Sequence, residues 1–295
     1  MGFAEQKPGG PSQTAALRSL LAHGTLEATP KQVADVSRWG PQLPAQTAVY
    51  VPLLPGKTLA DSVVACRTLA QAGLRPVPHV AARAIPSREA LDGVLRELVD
   101  LGVDSLLLIA GDAPRPAGPF ANTLDVLDSG LLARHGLGRM GIAGHPDGHP
   151  AVDDARLQGA LQFKLQYARE TGTELWLVTQ FTFGSEGLFA WERRLRDVGI
   201  QLPIWVGLPG PTKLRTLMSY ALQCGVGASA RLLARRPEAT KLLERWTPDP
   251  LVEDIAAYQA REPESAMVGL HLFPFGGLQA SLTWLQGRRE RVGLS

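Results

Sequence analysis

The sequence lacks the features that mark membrane, disulfide-stapled and nucleic-acid-binding proteins. No apolar run approaches the roughly 20 residues that span a bilayer, and the polar start at residues 1–12 leads us to expect no signal peptide. Cys66 and Cys224 are too few for a disulfide framework, which favours a reducing, cytoplasmic setting. The net charge is +2 and basic and acidic residues are interspersed along the chain, so the sequence does not indicate a basic nucleic-acid-binding surface. We therefore expect no membrane or nucleic-acid partner, and a homo-oligomer remains open.

The sequence does contain a regular alternation of strand-like and helix-like segments. After residues 1–13, which we expect to be a disordered head, a short helix is predicted at 14–23. Eight strands are predicted at 24–28, 47–53, 75–81, 105–111, 139–144, 174–181, 203–207 and 267–273. Helices are predicted at 30–39, 58–72, 87–101, 122–135, 153–171, 186–198, 212–224 and 276–289. This alternation predicts an α/β protein with a (β/α)8 barrel fold.

A doubly wound parallel sheet is the competing architecture. Such a sheet would be expected to open with Gly-x-Gly-x-x-Gly after its first strand, and the sequence has no such motif. The seventh strand–helix unit is extended at about 228–262, where helical patterns are broken by Pro237 and Pro248. We interpret this extension as helices inserted after strand seven of a single catalytic domain at 14–295.

The fourth predicted strand shows where a site would form. Leu106–Ile109 is a continuous apolar run, typical of a parallel strand covered on both faces. Gly111 permits a turn and Asp112 places a carboxylate at the carboxyl end, where ligands bind in parallel α/β folds. Taken singly, such residues also fit packing, turn or helix-start roles. The same pattern recurs at the other strand ends, which carry Glu27, Tyr50, His79, His145 and Gln180.

The segment His145-Pro-Asp-Gly-His149 is the sharpest local motif. Two histidines and an aspartate suggest a metal site, but Pro146 and Gly148 predict a tight turn and not a helix presenting both imidazoles on one face. The first strand also lacks the His-x-His pair that metal-dependent barrel hydrolases usually carry. We favour phosphate groups of a cofactor held by the histidines and loop N–H groups, with Lys164 within reach.

The segments at the strand ends, in their order along the chain, resemble the methylenetetrahydrofolate reductase family, flavoproteins built on a (β/α)8 barrel. The resemblance runs from Thr25 to about Phe275. It is carried by Thr25-Leu26-Glu27-Ala28-Thr29-Pro30, Val49-Tyr50, Pro78-His79-Val80, Gly111-Asp112 before a Pro-rich loop, Phe120-Ala121, His145-Pro146-x-x-His149-Pro150, Lys164 and Thr179-Gln180-Phe181-Thr182-Phe183.

The resemblance implies a role for each matching residue. It implies that FAD is contacted by Tyr50, His79, Gly111, Asp112, Ala121, His145, His149 and Lys164, where His145 stands in place of the family's usual Tyr. It implies that Glu27 is the general acid and binds substrate, that Gln180 binds folate and nicotinamide, and that Asp112 tunes the flavin. No metal is implied.

The chain departs from the family pattern at three places. Ala110 stands where the family usually has an Arg before Gly-Asp, and Gly276-Gly277 replaces the usual Asn-Arg after the last strand. Residues 156–160 do not reproduce the acidic and amide contacts found near the family's lysine. These departures affect the expected phosphate and folate-tail contacts.

The activity implied is a hydride relay in which NADH or NADPH and 5,10-methylenetetrahydrofolate react in turn with FAD. One alternative is the reverse reaction, oxidation of 5-methyltetrahydrofolate in one-carbon or demethylation metabolism. A folate- or flavin-binding barrel without turnover is a second alternative, and Glu27 and Gln180 argue against it. A metal-dependent barrel hydrolase is a third.

Overall fold

The computed structural model describes residues 11–223 and 245–294, and it confirms the predicted (β/α)8 barrel. Eight parallel strands close the barrel in the order β1-β10-β7-β6-β5-β4-β3-β2. They are Thr25–Glu27 (β1), Ala48–Val51 (β2), Arg75–Ala81 (β3), Ser105–Ile109 (β4), Arg139–Gly144 (β5), Glu174–Thr179 (β6), Ile204–Pro209 (β7) and Met267–Phe273 (β10). A separate antiparallel pair consists of Thr212–Lys213 (β8) and Arg245–Trp246 (β9).

Twelve helices are described. They are Pro11–Ala22 (α1), Pro30–Val33 (α2), Val36–Trp39 (α3), Leu59–Gln71 (α4), Arg88–Asp100 (α5), Thr123–Asp128 (α6), Leu131–Arg134 (α7), Asp154–Thr171 (α8), Ser185–Asp197 (α9), Leu214–Gln223 (α10), Asp249–Arg261 (α11) and Leu278–Arg291 (α12). The first begins at Pro11, three residues before the predicted start. None of the described helices is long and apolar enough to cross a membrane.

Two predicted helices are each divided in two. The predicted helix at 122–135 is interrupted at Gly130, whose φ of +71° is in the left-handed region that favours glycine. The predicted helix at 30–39 likewise forms α2 and α3. The predicted N-cap at Ser87 is confirmed, because its Oγ accepts a hydrogen bond from the N–H of Ala90 at 3.1 Å.

The chain divides into two compact units, and the first is Thr25–Gln180. Its strands β1 to β6 pair in sequence order, and Leu106, Leu107 and Leu108 of β4 are buried as the apolar run predicts. β4 ends two residues before its predicted end. Gly111 follows with φ +85°, and a Cβ there would lie 3.1 Å from that of Ala81, so the turn at this strand end depends on glycine.

The second unit combines Met1–Gly24 with Phe181–Ser295. Within its described part, β7 pairs with β10, and α1 packs on β10, α11 and α12. Of the insertion predicted at about 228–262, the structure shows β9 and α11, whereas residues 228–244, with Pro237, lie outside the described residues. Cys224 also lies outside them, whereas Cys66 of the first unit is a buried free thiol.

A buried carboxylate joins two helices of the second unit. Glu192 of α9 is fully buried and accepts hydrogen bonds from the Tyr258 hydroxyl at 2.9 Å and from the Ala266 N–H at 3.1 Å. Its Oε1 lies 3.0 Å from Nε of Arg196, which also contacts the more exposed Glu262 at 3.3 Å. A charge removed from water in this way is tolerated only with such partners.

We predict that Glu192→Ala lowers the free energy of unfolding by about 3–5 kcal/mol, because Arg196 would keep a charge without its buried partner. Glu262→Ala is the matched control, since its side chain is 41% exposed and its pairing contributes at most about 1 kcal/mol. Urea unfolding of both variants measures the difference. Equal effects of the two substitutions would show that burial of Glu192 does not govern this network.

Candidate active site

All of the predicted site residues lie within the unit Thr25–Gln180, and its strand register determines the geometry of those that lie on strands. Parallel pairing places Glu27 of β1 opposite Tyr50 of β2, and Tyr50 opposite Val77 of β3, two residues before His79. The result is a close approach: Nε2 of His79 lies 3.6 Å from Oε1 of Glu27. The two side chains are only 8% and 16% exposed, so the structure brings a carboxylate and an imidazole together with little access to water.

Tyr50 is held in the same group of residues by a hydrogen bond. Its hydroxyl accepts from Nε1 of Trp176 in β6 at 2.9 Å, and its ring lies edge-on to that of His79 with centroids 6.2 Å apart. Burial raises the pKa of Tyr50, and the hydrogen bond from Trp176 offsets this only in part. Tyr50 is therefore a neutral phenol at physiological pH.

Sequence reasoning missed Trp176. The indole ring of Trp176 fits because its register partner in β5 is Gly141, which has no side chain. A Cβ at Gly141 would lie 2.8 Å from the indole ring. Glycine within a strand often marks the close approach of another group, and Gly141 is the signal that could have identified this contact.

A second group forms around the predicted tight turn. The N–H of Gly148 donates to the carbonyl of His145 at 3.1 Å, and the ring centroids of His145 and His149 lie 4.9 Å apart, edge to face. Nδ1 of His149 accepts from the N–H of Ala151 at 3.1 Å, which places the proton of the neutral ring on Nε2. The turn therefore leaves one imidazole N–H available as a donor.

Lys164 of α8 completes this second group electrostatically. Burial lowers the pKa of Lys164 to about 8, and burial together with the charges of His149 and Lys164 lowers the pKa of His145 to about 4. Lys164 forms no hydrogen bond or ion pair with any described residue. A half-buried cation without an acidic partner, beside two imidazoles, suits an anion such as phosphate.

The loop after β4 is tied to the end of β3. Arg83, another residue that sequence reasoning missed, donates to the carbonyls of Ala113, Pro114 and Ala121. Within this loop Asp112 is exposed, and its carboxylate forms no hydrogen bond or ion pair with the described residues. Asp112 is therefore placed on the rim, whereas the side chains of Glu27 and His79 are only 16% and 8% exposed.

Gln180 follows β6, is half-buried, and its N–H donates to the carbonyl of Gly144 at 2.8 Å. Within the described part of the chain, no group of three or more His, Cys, Asp or Glu side chains is arranged to hold a metal ion. The predicted residues thus form an acid–imidazole group around Glu27, a cationic group around Lys164, and two polar rim positions, Asp112 and Gln180.

Solved structures of low sequence identity are similar to this chain. One is an uncharacterized protein from Clostridium thermocellum that binds two copies of 5-methyl-5,6,7,8-tetrahydrofolic acid. It shares the fold and is 11% identical, with a TM-score of 0.53, and the match covers 91% of this chain and 95% of that one. Dihydropteroate synthase from Thermus thermophilus is 16% identical, with a TM-score of 0.47, covering 92% and 90%. A putative phosphonomutase from Burkholderia cenocepacia J2315 is 13% identical, with a TM-score of 0.49, covering 97% and 100%.

A family model gives a more specific result than these structures. The model described as methylenetetrahydrofolate reductase matches residues 54–236, which is more than half of the chain. The matched range contains His79, Asp112, His149, Lys164 and Gln180. The chain therefore belongs to the methylenetetrahydrofolate reductase family.

Proposed function

We propose that this protein is an FAD-dependent folate oxidoreductase that transfers hydride between NADH or NADPH and 5,10-methylene- or 5-methyltetrahydrofolate. The observation that carries the proposal is the carboxylate of Glu27 at the carboxyl end of β1, 16% exposed and 3.6 Å from His79. A largely desolvated acid beside a second titratable group is a common arrangement for proton transfer. Membership of the reductase family supports the assignment.

The donor groups of the chain fit the charged part of FAD. Lys164, with no acidic partner among the described residues, and Nε2–H of His149 supply a positive charge and a donor for the pyrophosphate. The rim residues Gly111, Asp112 and Ala121 flank the same strand ends and would border the cofactor. When bound, FAD would accept hydride from the nicotinamide and donate it to the folate.

Glu27 would provide the acid for the folate half-reaction. Protonation of a folate nitrogen by Glu27 opens the bridge of the methylene compound, and general acid catalysis of this kind contributes about 10²–10⁴-fold. Nε2 of His79 lies 3.6 Å from Oε1 of Glu27, beyond direct hydrogen-bond distance, so return of a proton to Glu27 through His79 would need a bridging water or a small movement of either side chain. Tyr50, kept neutral and bonded to Trp176, would pack beside this pair and help exclude water.

The substrate would be oriented by Gln180. Its amide can both donate and accept, which suits the pterin ring of folate and the carboxamide of a nicotinamide. A barrel protein from Clostridium thermocellum binds 5-methyltetrahydrofolate, and this supports the capacity of the fold to hold a folate. Glu27 would serve the reverse, oxidative direction as the matching base.

A folate- or flavin-binding barrel without turnover accounts less well for the site. Simple binding does not need a carboxylate taken out of water beside an imidazole, and burial of such a group carries a free-energy cost. Groups held at such a cost are typical of sites where their protonation is used in a reaction. The Glu27–His79 pair therefore favours catalysis.

We predict that FAD affinity falls as the pH rises through about 8. Lys164 binds phosphate as an ammonium, and because its pKa is lowered to about 8 in the free protein, the proton is lost above that pH. One linked proton gives a decrease of up to about tenfold per pH unit. His145, with a pKa of about 4, stays neutral over this range.

Isothermal titration with FAD at pH values below and above 8 measures this dependence. Lys164→Met should bind FAD more weakly and lose the decline near pH 8. Lys213→Met, at an exposed lysine of β8, is the matched control and should retain it. A Lys164→Met variant that binds FAD as tightly as the wild type would exclude Lys164 as a phosphate ligand.

We predict that Glu27→Gln slows the folate half-reaction by about 10²–10⁴-fold, because glutamine keeps the size and hydrogen bonding but has no transferable proton. Reduction of the flavin by NADH or NADPH needs no such acid and should be unchanged. Stopped-flow measurement of the two half-reactions separates them. Glu174→Gln is the matched control, since Glu174 begins β6 at the opposite, amino end of a barrel strand.

Two outcomes would contradict this role for Glu27. Equal slowing of both half-reactions would make Glu27 a structural residue or a nucleotide ligand. Unchanged rates in both would place the acid elsewhere in the chain.

A further inference from the structure

Arg83 holds the loop that follows β4. It lies in the short 3-10 turn Ala82–Ala84 after β3, and its Nε and Nη2 donate to the carbonyls of Ala113 and Pro114 at 2.6 and 2.8 Å. Its Nη1 donates to the carbonyl of Ala121 at 3.2 Å. The guanidinium therefore joins the two ends of the loop 113–121.

The backbone of the same turn supports the loop. The N–H of Arg83 donates to the carbonyl of Ala110, and its carbonyl accepts from the N–H of Ala117, both at 2.9 Å. Gly118 packs so closely on the carbonyl of Pro86 that a Cβ would not fit. Arg83 is thus fixed in place next to Ala110, the position at which the family usually has an arginine and this chain has no charged group.

The charge of Arg83 is not neutralised by these contacts. Its three acceptors are neutral carbonyls, and among the described residues no carboxylate lies within ion-pair distance of it. A guanidinium has five N–H donors, and the three carbonyls use three of them. Arg83 is half-buried at a strand end of the barrel, and it keeps two N–H donors and an uncompensated positive charge. Such an arginine is suited to bind a phosphate.

We propose that Arg83 is a cofactor-binding residue that contributes its guanidinium to the pyrophosphate of a bound dinucleotide, in place of the group that Ala110 lacks. The inference rests on the proposed use of FAD and adds a ligand that the family pattern does not assign. Arg83 would also position Ala121 and the rim around Gly111 by holding the loop. These two contributions separate experimentally, because only the first depends on the ligand's phosphates.

The test compares ligands with and without phosphate. FAD and riboflavin share the flavin ring, but riboflavin has no phosphate, so flavin fluorescence quenching by the protein reports both affinities. Arg83→Met should weaken FAD binding by about tenfold or more beyond any change in riboflavin affinity, the equivalent of one charge-assisted hydrogen bond, because the loss of the loop contacts would affect both ligands alike. Arg88→Met is the matched control, because Arg88 donates to a single carbonyl, that of Ser129, and should bind both ligands normally.

Two further variants distinguish loss of the guanidinium from a folding defect in Arg83→Met. Arg83→Lys keeps the positive charge but loses the planar guanidinium with its paired N–H donors. It should therefore keep more FAD affinity than Arg83→Met. Ala110→Arg placed in the Arg83→Met background should restore FAD affinity by supplying a guanidinium from the adjacent strand end. Circular dichroism verifies the fold of each variant.

The possible results distinguish failure of the Arg83 proposal from failure of the proposed function. Equal loss of FAD and riboflavin in Arg83→Met, or no loss of either, would overturn the proposal while leaving the flavoprotein assignment in place. A wild-type protein that binds riboflavin and FAD equally would also overturn it. A wild-type protein that binds neither ligand would instead contradict the proposed function itself.

Discussion

The register of three parallel strands is the constraint on which the site depends. Glu27 lies opposite Tyr50 because β1 and β2 pair at these positions, and His79 follows two residues beyond the partner of Tyr50 in β3. Side chains alternate between the two faces of a strand, so a slip of one residue would turn Glu27 or His79 away from the other. The short distance between their side chains is thus a consequence of the backbone pairing of β1, β2 and β3. The hydrogen bond from Trp176 to Tyr50 extends the same dependence to β6.

The second group of site residues is governed by burial of charge. Lys164 extends from α8, an 18-residue helix in which no side chain is fully buried, yet its own ammonium is desolvated enough to lower its pKa to about 8. A cation in this condition is destabilising unless an anion joins it. The FAD that we propose as cofactor would supply that anion through its pyrophosphate. Arg83, which follows β3, is a second cation with no acidic partner among the described residues, and its hydrogen-bond partners are neutral carbonyls.

Much of this arrangement could be predicted from the sequence, because strands covered on both faces are continuous apolar runs and their ends carry the polar residues. The bounds of β3, β5 and β10 were predicted without error, and β4 ended early only because Gly111 turns the chain. The split of the helix at Gly130 was missed, since a single glycine is compatible with either a helix or its end.

The contacts of individual side chains could not be predicted in the same way. The 3.6 Å approach of Glu27 to His79 and the three carbonyls bound by Arg83 depend on which faces of separate elements meet. Sequence spacing places Arg83 after a strand but gives no reason to choose it over other surface arginines. Trp176 had a signal in Gly141, but that signal has meaning only once the two are known to be register partners.

A visible absorption titration with FAD tests the proposed function most directly. Purified protein should either carry a flavin spectrum or take up added FAD until one equivalent is bound, with the shift in the flavin bands that accompanies transfer from water to a protein site. Folded protein that is colourless and leaves the spectrum of added FAD unchanged would contradict the account.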